Sequence, residues 1–209
     1  MGAERVRNIP PVQKTKPEVF IIESLNIDDE NKDLFEGKVL SQTLRMCGKK
    51  PIYYYCRTKE ELQLLLLMFR ESGYRYLHLS CHGGPLSLET TLDSINYTEL
   101  SEMMTGLLKN RRLFVSACEA GNELFSTSIS SRNKGMYSIA APSVNIRFDY
   151  AVAFWSAFYV RIFSLGETAM RRKGIRLEVQ KLVKFFDAEF HWSYYDAKND
   201  RWSHEYLSP

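Results

Sequence analysis

Two stretches decide how this chain folds: Tyr76–Gly84, YLHLSCHGG, and Arg112–Gly121, RLFVSACEAG. Each is an apolar run that stops at a reactive side chain among small residues, His82 before Gly83 and Gly84, and Cys118 after Ala117. Short apolar runs that end at glycine read as buried strands of a parallel sheet. The 36 positions from His82 to Cys118 hold one loop, one helix and one strand, the contents of a right-handed βαβ crossover. Such a crossover sets both strand tips on one edge of the sheet, where open α/β folds carry their sites. On neighbouring strands, His82 and Cys118 meet. A neutral imidazole beside a thiol can take its proton, and the thiolate is the nucleophile.

Outward from these blocks the chain alternates. Glu18–Glu23 and Pro51–Cys56 are short runs rich in β-branched or aromatic residues and read as the first two strands. Between them Asp33–Cys47 has helical spacing and stops at Gly48. Thr58-Lys-Glu-Glu61 is a capping-box signature ahead of a leucine-rich helix that ends at Gly73. Tyr74–Cys81 is the third strand, and Pro85–Ile95 a loop or small hairpin. Leu100, Met103, Met104, Leu107 and Leu108 fall on one helical face and predict the crossover helix. Gly135–Pro142 reads as a fifth strand, Phe148–Phe163 and Glu167–Phe186 as helices, the second interrupted at Gly174, and His191–Trp202 as a terminal hairpin. The expected architecture is a doubly wound three-layer α/β/α sandwich with a mostly parallel central sheet.

Length and 44% hydrophobic content suit a single core, so residues 1–16 are expected to form a polar lead-in and residues 17–209 one domain. That lead-in carries Arg5, Arg7, Pro10 and Pro11 and no apolar segment of the signal-peptide kind. The 28 basic residues nearly match the 25 acidic ones, which argues against direct nucleic-acid binding, and the basic run from Arg171 to Lys184 reads as a solvated helix face. Cys47, Cys56, Cys81 and Cys118 lack metal or disulfide-scaffold spacing, so a reducing, cytoplasmic setting with neither metal nor cofactor is expected. Tyr150–Leu165 includes Arg161 and falls short of the roughly 20 apolar residues of a membrane span. Leu25-Asn-Ile-Asp28 offers no phosphate-cradling glycines, which disfavours a flavodoxin-like nucleotide domain.

With Ser80-Cys-His-Gly83 followed by Ser116-Ala-Cys-Glu-Ala-Gly121, the chain resembles the caspase-like cysteine peptidases of clan CD, and most closely their CHAT family. Ile139–Pro142, Asp149 and the aromatic helix to Gly166 are similar to that family's downstream block, so the resemblance covers roughly Val19 to Lys184. It implies a caspase-like sandwich and a thiol protease that cuts a partner protein in a cell-death or antiviral defence pathway after a sensor or regulatory partner rearranges its loops. The family's tetratricopeptide repeats are not read here, so regulation is expected from another protein. Papain-like enzymes place the cysteine first, the opposite of the order here.

Cys118 is assigned as the nucleophile that forms a thioester. His82 is the group that protonates the leaving amine and activates water. The N–H groups of Gly83 and Cys118 are expected to hold the developing oxyanion, a pairing that the resemblance supports. Glu119 reads equally as a loop-orienting or pocket-lining acid and as a surface acid. The resemblance places Asp149 as an acceptor for a basic substrate residue, while its position equally suits a helix cap. His78 should share a strand face with His82, opposite Cys81. The rival reading is a catalytically silent interaction module that keeps the fold and uses the aromatic surface between Phe185 and Trp202.

Overall fold

The computed structural model describes residues 15–166, 170–196 and 198–209. All but the last two positions of the expected lead-in therefore lie outside the described residues, and Lys16 already opens β1 (Lys16–Glu23). The order continues with α1 (Ile27–Asn31), α2 (Glu36–Met46), β2 (Ile52–Tyr55), α3 (Lys59–Ser72) and β3 (Tyr74–Ser80). Three short strands follow, β4 (His82–Gly83), β5 (Ser87–Glu89) and β6 (Ser94–Asn96), then α4 (Tyr97–Met103), β7 (Arg112–Ser116) and α5 (Glu123–Ser131). The chain ends with β8 (Ser138–Pro142), α6 (Phe148–Ser164), α7 (Arg172–Phe186), β9 (Phe190–Asp196) and β10 (Arg201–Leu207).

The main sheet has the order β10-β9-β8-β7-β3-β1-β2. Its β2-β1-β3-β7-β8 part is parallel, and β9 and β10 add an antiparallel hairpin. Because strand side chains alternate, Phe20 and Ile22 face one layer and Val19 and Ile21 the other. The first layer is closed by Leu62, Leu66 and Phe69 of α3, Leu100 of α4 and Phe125 and Ile129 of α5. The second is closed by Leu40 and Leu44 of α2, the aromatic face of α6 and Ile175, Val179 and Val183 of α7. This is the expected three-layer sandwich.

Beyond the strand ends a row of backbone hydrogen bonds continues across four tips: Cys56 N–H to Glu23 O at 2.9 Å, Ser24 N–H to Ser80 O at 2.9 Å, and Cys81 N–H to Ser116 O at 3.0 Å.

Three local expectations change. The crossover helix ends at Met103, because Gly106 turns left-handed (φ 74°) and gives its N–H to Arg132 O, while Leu108 N–H goes to Asn133 Oδ1. Leu107 and Leu108 are still buried, but through turns. Helix α5 was not expected from its serine-rich sequence; Asn122 caps it by accepting from Phe125 N–H. Helix α7 runs through Gly174 unbroken, since its buried Ile175, Val179 and Val183 outweigh a cost of about 1 kcal/mol for one glycine. The expected start of that helix at Glu167 lies outside the described residues. The Pro85–Ile95 segment holds the small hairpin allowed for there, β5 against β6, within the antiparallel sheet β4-β5-β6.

Candidate active site

Strands β3 and β7 are parallel neighbours with Ser80 opposite Ser116, so the segments leaving them start side by side. After β3 the chain turns into β4, where His82 pairs with Glu89 and Gly83 with Leu88. Gly83 is wedged against the other segment: a Cβ there would stand 2.9 Å from Ala117 Cβ and 3.1 Å from Cys118 O. The glycine beside the histidine is therefore required by the close approach of the two tips. After β7 the chain turns sharply at Glu119 (φ 57°). Glu119 N–H donates to Val144 O at 3.3 Å and Gly121 N–H to Pro142 O at 2.7 Å. A Cβ on Gly121 would fall 2.4 Å from Ala141 O and 2.7 Å from Pro142 C, inside any van der Waals contact. Gly121→Ala is expected to destabilise the fold by roughly 2–4 kcal/mol through forced separation of β7 and β8, read as a lowered denaturant midpoint.

His82 and Cys118 line one cleft of about 110 Å³, together with Glu36, Ser116, Ile146 and Phe148. His82 Nε2 lies 2.7 Å from Asp29 Oδ2 and 3.1 Å from Asn26 Nδ2. An ionised carboxylate only accepts, so Asp29 selects the tautomer with hydrogen on Nε2 and leaves Nδ1 as the basic nitrogen. Phe148 meets the imidazole edge-on, with centroids 5.4 Å apart. Asp29 is held in turn by Asn26, which caps α1 by accepting Asp29 N–H at 2.8 Å. The sulfur of Cys118 hydrogen-bonds to Ile146 rather than to His82: Ile146 N–H approaches Sγ at 3.4 Å and Sγ donates to Ile146 O at 3.6 Å.

In the same cleft as His82 and Cys118 is a buried carboxylate that sequence reasoning passed over. Glu36, the first residue of α2 and 2% exposed, accepts through Oε2 from Ser80 Oγ at 3.1 Å and Ser116 Oγ at 2.9 Å. One oxygen thus joins the tips of both site strands. Its Oε1 is 3.6 Å from His78 Nε2 and has no hydrogen-bond partner. His78 Nδ1 contacts Tyr159 Oη at 2.9 Å, so this histidine is a packed core group. Burial pushes the nearby Glu23 carboxyl up to about 7.

The two proposed substrate acids are placed differently. Asp149 lies in the first turn of α6, whose N-cap is Arg147 without a side-chain bond. It receives Arg147 Nε at 3.0 Å and Nη2 at 2.7 Å, and that guanidinium lowers its pKa. Arg147, not Asp149, lines the cleft. Glu119 stands on the turn beside Cys118, and its carbonyl accepts from Asn122 Nδ2 at 2.9 Å. Among the described residues no group of three or more His, Cys, Asp or Glu side chains is placed to hold a metal ion, and no helix is long and apolar enough to cross a membrane.

A seven-stranded, mostly parallel sheet between two helical layers, extended by a C-terminal antiparallel hairpin, defines a caspase-like fold. Two solved structures share it. The crystal structure of caspase-1 from Spodoptera frugiperda has a TM-score of 0.54 at 17% identity, covering 81% of this chain and 77% of that one. The structure of pro-sf-caspase-1 has a TM-score of 0.54 at 16% identity, covering 100% of this chain and 91% of that one. No family model matches the chain, and no curated protein does. At this identity the likeness establishes the fold.

Proposed function

We propose that this chain is a cytoplasmic cysteine endopeptidase of the CHAT type that cuts a partner protein in a defence or cell-death pathway once a sensor or regulatory protein acts on its loops. The observation that carries the reading is the convergence of His82 and Cys118 on one cleft at the tips of adjacent parallel strands, with Asp29 orienting the imidazole. In the reaction His82 Nδ1 takes the Cys118 proton, and the thiolate adds to the peptide carbonyl. The N–H groups of Gly83 and Cys118 receive the oxyanion. Collapse expels the amine, which takes the proton from His82 and leaves a thioester. Water then adds as His82 accepts its proton, and loss of the thiolate frees the acid.

We assign a preference for a basic residue before the cleaved bond to the acids around the cleft. Glu36 forms part of its lining, and Asp149 stands behind Arg147, which a substrate cation would displace. The interaction-module reading draws on one observation, the Cys118 thiol bonded to Ile146 instead of His82.

The test uses alkylation. Burial pushes the Cys56 thiol up to about 12 and raises that of Cys81 as well, which protects both from iodoacetamide. Limited treatment is expected to modify Cys118 ahead of Cys56 and Cys81, as mapped by mass spectrometry. Cleavage of a mixed peptide library, strongest after arginine or lysine, should disappear in step with that modification. Cleavage that survives full alkylation of Cys118 would remove the cysteine-peptidase reading and place the chemistry elsewhere.

A further inference from the structure

At the edge of the sheet opposite the cleft, Arg112 opens β7 and is 7% exposed. A buried guanidinium needs a counter-charge or several acceptors. Its neighbour Arg111 has them, giving Nη1 to Leu107 O at 3.0 Å and Nη2 to Arg70 O at 2.7 Å. Arg112 does not: Nη1 donates to Ser138 Oγ at 2.7 Å, the guanidinium rests over the Tyr137 ring at 5.1 Å, and Nε has no partner. Among the described residues it forms no ion pair. Burial pulls its pKa down to about 10, and the charges of Arg75 and Arg172 act in the same direction.

Arg112 lines a cavity of about 260 Å³ with Tyr137, Arg172, Tyr195, Asp196 and Lys198. Three cations face one carboxylate, and that carboxylate is engaged locally, accepting Lys198 N–H at 3.1 Å and Asn199 Nδ2 at 2.8 Å. Arg172 is the first residue of α7, a helix with no acid in its first turn and no side-chain cap, so its N-terminal end adds partial positive charge. A carboxylate ligand would neutralise half of the surplus of two charges, whereas a phosphate group neutralises nearly all of it and offers an oxygen to each cation.

We propose that this cavity binds a phosphate-bearing small molecule, with Arg112 as the buried anchor and Arg172 and Lys198 as flanking cations. The site is separate from the cleft and stands whether or not the chain is a peptidase.

Calorimetric titration of the full chain with pyrophosphate and with ATP tests it, with acetate at matched ionic strength as the control. Saturable binding of at least one phosphate probe, with none of acetate, is expected. Arg112→Gln should abolish it, and the exposed double variant Arg172→Ala, Lys198→Ala should weaken it about tenfold or more, as loss of charge-assisted contacts implies. If Arg112→Gln fails to fold, the double variant still decides. Tighter binding of ATP than of pyrophosphate identifies a nucleotide as the source of the phosphate, the reverse a free polyphosphate anion, and either supports the site. No saturable binding of either probe, undiminished binding by the double variant, or an equal response to acetate would overturn it.

Discussion

Cys118→Ala is expected to abolish peptide cleavage while moving the melting temperature by no more than about 2–4 °C, the shift that about 1 kcal/mol produces in a chain of this size. The sulfur is partly exposed and its hydrogen bonds go to the backbone of Ile146, so truncation removes little packing. On the proposed reading it removes the atom that forms the thioester. Oxyanion donors and substrate binding alone leave about 10³- to 10⁴-fold over water in triad enzymes stripped of their nucleophile, which is below detection with a peptide substrate. The measurement is a pair of mass-spectrometric time courses on a peptide cut by the wild type, beside thermal melts of both proteins. A cleaving Cys118→Ala protein would place the chemistry elsewhere.

Asp29→Asn is the second large effect, with kcat/KM falling on the order of 10³-fold, mostly in kcat, by analogy with carboxylates that fix a catalytic imidazole. Asp29 Oδ2 is 2.7 Å from His82 Nε2, and the ionised carboxylate admits one tautomer there. An amide can present its NH₂ instead, which reverses the ring and puts hydrogen on Nδ1, where a base is needed. The fold should persist, because Asn26 Oδ1 still accepts the backbone N–H of residue 29. A loss smaller than tenfold, or one confined to KM, would reduce Asp29 to a structural partner. Iodoacetamide labelling of Cys118 in the same variant reports on thiolate formation without any substrate.

The meeting of His82 and Cys118 at one cleft was legible because both halves are local patterns: an apolar run, a reactive side chain and a glycine. The crossover length then made the strands neighbours. Asp29 and Glu36 were not legible, since they lie in Asn26–Glu36, a segment whose acids look like an ordinary solvated surface. The Asn26 to Asp29 spacing signals a helix cap, which is what Asn26 provides, but nothing in it announces a contact with a residue 53 positions away. Glu36 is brought under the cleft by the packing of α2 against the sheet, a tertiary event. Helix α5 was hidden by its serines, and the expected length of α4 failed because burial of Leu107 and Leu108 follows the same spacing whether a helix or a turn achieves it. Arg112 looked like the polar start of a strand. Its isolation appears only when its surroundings are counted.

The hydrogen bonds that join the tips of β2, β1, β3 and β7 make a single beam from which the site's loops project. His82 and Cys118 each sit two positions beyond the last residue of their strands, and Asp29 six beyond the end of β1. The segments that carry His82 and Cys118 off the sheet are therefore short, and they approach closely enough that a Cβ at position 83 would meet Ala117. On the proposed reading, a regulator working by loop movement would have its longest lever at α1. It would govern the site by setting the direction of an imidazole rather than by bringing the two reactive groups together.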